Sequence, residues 1–191
     1  MSTFAVGDPD HTAEHNRQRI VEPVPAGALK AHRVDPLIFA SPNVWVPVEF
    51  QTIPADEQLA GLFLRPDNIT VESEVSDIFM VSGCARPLWS GGVNGVATLA
   101  SRIMNSTDGG VTFVENRCLQ AIQGRARQVG EVGTMHYIGT VGCEPGTLFR
   151  LEVRTSDTDL SLAGSPVFDS PVSVSIQAHG MGRLAHEGWL P

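Results

Sequence analysis

The chain has 191 residues, enough for one full-sized core, because folding at this length buries roughly 70 % of the surface of the extended chain. A net charge of -8 without any basic stripe disfavours nucleic acid, and no apolar run approaches the ~20 residues that cross a bilayer. Charged residues make up 18 % where an average soluble domain has about 25 %, and twelve of the thirteen basic residues are arginine, so the surface is suited to being covered in an assembly.

Residues 1–42 read as a docking arm. Asp10 or Thr12 is placed to cap about three helical turns ending near Ile20, with Glu14 in the first turn. Ala13, Ile20 and Val21 are its whole apolar stripe, which is too little burial to hold a helix without a partner. Asp10, Glu14, His15, Arg19 and Ile20 are therefore expected to dock on another protein. His11-Thr-Ala-Glu-His15 also fits the H-x-x-E-H pattern of inverted zinc peptidases. A catalytic zinc requires a third ligand and a rigid pocket as well, so no metal or cofactor and no catalytic residue is expected here. Asp8, Asp10, His11 and Glu14 stand where a signal peptide would be apolar, which predicts synthesis in the cytoplasm. Pro23, Pro25 and Pro36 then make the approach to the domain an extended connector that cannot pair as a central strand.

From residue 43 to about 180 the hydrophobic period becomes two. Val44, Val46, Val48 and Phe50 alternate with polar or bulky partners, and Ile69, Val71, Ser73 and Val75 repeat the pattern. Further strands are predicted at 77–84, 97–104, 111–114, 117–122, 134–141 and 148–155, with a last one through Val172, Val174 and Ile176. In Phe149, Leu151 and Val153 the interleaved residues are Arg150, Glu152 and Arg154, which predicts one face in the core and one in water. Turn chemistry at 65–68, 90–95, 108–110, 144–146 and 156–159 separates these runs without intervening helices. The expected fold is all-β, an antiparallel sandwich or jelly roll.

Little else in this region points to chemistry. Asp157 and Asp159 lie in a turn, where aspartate bonds the local backbone, and Cys84, Cys118 and Cys143 are too scattered for a disulfide framework or a metal site. His32, His136, His179 and His186 lack ligand spacing and read as surface or interface histidines. Trp45, Trp89 and Trp189 are the stacking platforms on which sugar binding would have to rely. The tail 181–191 ends in Trp189-Leu-Pro, an anchor either on its own domain or on a neighbouring subunit through Trp189 and Leu190.

The strands Ile78-Phe-Met-Val-Ser-Gly83, Leu99-Ala-Ser-Arg-Ile-Met-Asn105, Glu144-Pro-Gly-Thr-Leu-Phe-Arg-Leu-Glu-Val153 and Val172-Ser-Val-Ser-Ile176 together resemble the trimeric jelly rolls of the tumour-necrosis-factor and C1q type. The opening Val6-Gly-Asp-Pro-Asp-His-Thr-Ala-Glu-His-Asn16 is similar to N-terminal segments of minor tail and fibre-like virion proteins of tailed bacteriophages. The resemblance implies a non-enzymatic virion protein made in the host cytoplasm: a homotrimeric minor tail or tail-tip subunit docked on other virion proteins, with host-surface carbohydrate as a further partner. A head decoration protein is the alternative within that class, and a zinc or polysaccharide hydrolase the alternative outside it.

Overall fold

The computed structural model describes residues 28–51, 61–89, 96–116, 120–125, 133–163 and 172–181. The docking residues Asp10, Glu14, His15, Arg19, Ile20, Trp189 and Leu190 lie outside these ranges, as do His11, His186 and Cys118. Every regular element among the described residues is a strand: β1 (Ala28–Arg33), β2 (Val46–Pro47), β3 (Leu62–Leu64), β4 (Val71–Ser73), β5 (Asp77–Ala85), β6 (Pro87–Trp89), β7 (Val96–Ser106), β8 (Val114–Glu115), β9 (Gln120–Arg125), β10 (Met135–Cys143), β11 (Leu148–Thr155), β12 (Leu160–Leu162) and β13 (Val174–Gly180).

Two antiparallel sheets hold most of them. The smaller runs β1-β13-β5-β10, and the larger runs β3-β4-β11-β7-β8, with β2 added to β11 and β9 to β7. A short β12-β6 ladder closes one side, tied to the segment after β1 by a bridge between Leu37 and Leu162. In the smaller sheet every pair of neighbours is distant in sequence, and in the larger sheet β11 likewise joins β4 to β7. This is the mark of a fold wound from both ends and not from successive hairpins.

The alternation explains the layers. Phe79 and Val81 of β5, Met135 and Val141 of β10, and Val174 and Ile176 of β13 turn inward against Leu99 and Ile103 of β7 and Phe149, Leu151 and Val153 of β11. Burial of each such side chain contributes roughly 1.5–3 kcal/mol. Phe39 and Phe50 are also fully buried, so the loops flanking β2 belong to the same core.

Several expectations are corrected here. Residues 28–42 do not stand apart in an arm: β1 pairs with β13 from Ala28↔His179 to Arg33↔Val174, and Leu29, Ala31 and Leu37 enter the core. β1 lies at the edge of its sheet, and Pro23 and Pro25 lie outside the described residues. The run 111–114 is mostly loop, with Val111 86 % exposed, and only Val114 pairs, at the start of β8. That loop is built by its own polar groups, since the Ser106 hydroxyl donates to Asp108 at 2.6 Å and the Thr112 amide at 2.9 Å. These bonds hold the Asp108 carboxyl down at about 2, and Gly109 and Gly110 supply the positive φ of the turn. Asp157, for its part, accepts the Asp159 amide at 3.0 Å, the local turn role expected of it.

Gly83, in the middle of β5, is where the smaller sheet is tightest. Tyr137 on β10 lies opposite Gly83, and its phenol crosses β5 to donate to the Ser175 carbonyl on β13. Complete burial pushes the phenol well above its ordinary range, with the neighbouring Cys84 thiol adding to the shift, so it stays a donor. A β-carbon at Gly83 would collide with the Ser175 carbonyl and the Tyr137 ring, whose Cζ would be 2.6 Å away. Gly83→Ala should therefore cost about 2–4 kcal/mol in urea unfolding, because both obstacles are fixed by the sheet.

Candidate assembly interface

The residues left facing outward on the smaller sheet follow from its register. Met181, Ile78 and Gly142 form one row, and His179, Met80 and Thr140 the next. Lys30, Gln177, Ser82 and Ile138 make the third, followed by His32, Ser175, Cys84 and His136. No carboxylate occurs in the four rows. Ile78, Ile138 and Met181 are each more than half exposed, and Met80 is 38 % exposed. Half of the large hydrophobic residues exposed among the described residues thus gather on this one face. A contiguous apolar surface poor in charge is the composition of an interface core.

Small side chains hollow the centre of the face. Ser82, Cys84, His136, Ile138, Ser175 and Gln177 line a shallow depression of about 520 Å³. The Cys84 sulfur lies 3.3 Å from the Ser175 hydroxyl, which also receives the Cys84 amide at 3.3 Å. The other described thiol is of a different kind. Burial, reinforced by the carboxylates of Asp77 and Glu144, pushes Cys143 up to about 12. Both cysteines are free, Cys84 half-buried and Cys143 buried.

The outward face of the larger sheet contrasts with this one. Arg102 reaches Glu152 at 2.7 Å and Glu115 at 3.0 Å, while Arg150 holds the other oxygen of Glu152 at 2.6 Å. The Arg102 and Arg154 guanidinium groups lie 4.3 and 4.7 Å from the centre of the Trp45 ring, and Arg150 lies 3.9 Å over Phe113. Glu152 is only 3 % exposed, so the alternation that put it in water is corrected: two arginines and their aromatic supports roof it over. Its charge is satisfied within the chain. Trp45 is part-buried and held in this ladder, and Trp89 is buried in β6, so neither described tryptophan offers an open ring face.

The comparisons with known proteins bear on the arrangement of strands. The Eiger TNF of S. frugiperda matches with a TM-score of 0.54 at 12 % identity, over 82 % of this chain and 93 % of its own. Murine APRIL, solved at pH 5.0 and at pH 8.0, matches with TM-scores of 0.52 and 0.51 at 13 % identity, over 82 % of this chain and 99 % of its own. The chain has a TNF-like jelly-roll fold. No protein-family model matches it, and no curated protein matches it in sequence. The strands that carried the resemblance occupy the middle of this TNF-like fold: β5 and β13 are neighbours in the smaller sheet, β7 and β11 in the larger.

Two outcomes follow from these faces. Glu152→Ala leaves Arg102 and Arg150 without their shared acceptor and should lower stability by about 1.5–3 kcal/mol, read by chemical denaturation. In alkylation of the native protein, Cys143 should remain unlabelled until the chain unfolds, as mass spectrometry of the digested protein would show.

Proposed function

We propose that this chain is a non-enzymatic assembly subunit, a jelly-roll head that associates with sister copies through the outward face of β1-β13-β5-β10. The observation that carries the reading is the contrast between the two sheets. On the larger sheet the charges find partners within the chain; on the smaller one Ile78, Met80, Ile138 and Met181 remain in water beside a hollow. Covering them gains hydrophobic free energy, and the four rows hold no carboxylate that would have to be desolvated. The likeness to trimeric jelly rolls supports three copies as the number.

The setting we propose is the virion of a tailed bacteriophage, as a minor tail or tail-tip subunit. This part is supported by the Val6 to Asn16 segment, which would be the arm that grips the particle. Host-surface carbohydrate is the further partner we propose for such a subunit. Copy number per particle separates the tail from the head: a handful supports the tail, several hundred a capsid decoration.

Ile138→Asp places a charge in the centre of the face without touching the core. It should turn an oligomer into monomers in sedimentation velocity while the strand signal in circular dichroism stays intact. A wild-type chain that sediments as a monomer at high concentration would remove the reading. In the oligomer Cys84 should be protected from alkylation and become reactive in the Ile138→Asp variant.

A further inference from the structure

All three histidines among the described residues, His32, His136 and His179, stand on the face proposed to be covered. They come from three different strands, β1, β10 and β13. His179 and His136 are exposed, and His32 is half-buried. We infer that assembly through this face is switched off by acid, because covering it requires these imidazoles to be neutral. The inference rests on the assembly reading above and adds its regulation.

The groups facing the three histidines decide the sign. On β1 the nearest charged side chain of the same face is Lys30, in the row between Ala28 and His32; on β5 the face offers Ile78, Met80, Ser82 and Cys84, and beyond Cys84 the alternation adds Arg86. On β13 it offers Ser175 and Gln177, and on β10 Ile138, Thr140 and Gly142. Among the described residues, carboxylates occur only at the margins of the face. Glu144 follows the last row, Asp77 pairs with Cys143 on the core side, and Asp35, beside the end of β1, is taken by the Gln51 amide. Glu115, on the larger sheet near Thr140 through Asn116, is engaged by Arg102. The four rows that hold the imidazoles thus present apolar and neutral polar side chains, one lysine and no carboxylate.

Histidine is the side chain that ordinarily changes charge between about pH 5 and 8. A site that is covered among apolar groups, with no carboxylate in its rows, disfavours the protonated form, so the assembly binds fewer protons than the free chains. Linkage then makes association strongest at neutral pH and weaker as pH falls, about tenfold per pH unit for each imidazole kept neutral. With several imidazoles per subunit the transition is steep. The domain itself need not unfold, since none of the three side chains belongs to the core.

The test is sedimentation velocity of the whole chain at about pH 7.5 and about pH 5, with circular dichroism recorded on the same samples. The expected result is an oligomer at the higher pH, and at the lower pH monomers with the strand signal unchanged and association weakened at least about a hundredfold. The triple variant His32→Gln, His136→Gln and His179→Gln should remain oligomeric at the lower pH. An oligomer of the unaltered chain that persists in acid overturns the switch and leaves the assembly standing. Dissociation that the triple variant does not relieve, or that comes with loss of strand signal, overturns it too. A monomer at both pH values takes down the assembly reading and the switch together.

Discussion

The pinning of β10, β5 and β13 around Gly83 is the constraint on which the other features depend. Tyr137 can reach the Ser175 carbonyl only because β5 has no side chain at that point, and the bond ties the two outer partners of β5 to one register. In a sheet whose side chains alternate, register decides everything about the two faces: a slip by one residue would turn Ile138 and Met80 inward and Tyr137 and Val81 out. The buried phenol, which can find no water, penalises such a slip by the loss of its acceptor. Core and interface are in this way two consequences of one alignment.

That alignment leaves the sandwich with two unlike outer surfaces. The larger sheet solves the problem of charge within itself, with Glu152 shared between Arg102 and Arg150 and the guanidinium groups laid on Trp45 and Phe113. Removing either partner of a covered ion pair costs more than the pair gains, so this face is held as a unit and gives a partner little reason to open it. The four outward rows of the smaller sheet hold no carboxylate. Its hydroxyls and thiol bond locally, as Cys84 does with Ser175, and its apolar side chains wait for contact from outside the chain.

Much of the architecture was legible from period alone. The strands expected at 77–84, 134–141 and 148–155 appear as β5, β10 and β11, the last with Phe149, Leu151 and Val153 inward as expected, because each is long enough for alternation to stand above noise. Three-residue strands carry no period, so β3, β6 and β12 had no signal to give. β1 was hidden by its surroundings: a short Ala-Leu-Lys-Ala-His-Arg segment between proline-rich stretches looks like a connector until its partner β13 is in place. Glu152 was misplaced because polarity in alternation shows which way a residue points, and not whether arginines from β7 and its own strand will close over it.

The interface was half visible. Ile78-Phe-Met-Val81 is apolar at both parities, which in an antiparallel sheet of a two-layer domain means that the second face, too, is to be covered. What the run could not show is that the same face would collect Ile138, Met181 and three histidines, since those meet it only through pairings between distant parts of the chain. The low charge of the chain then acquires a location. Arginine and glutamate are engaged in pairs on the larger sheet, while the four outward rows of the smaller one hold one lysine, no carboxylate and the three described histidines on which the proposed acid switch rests.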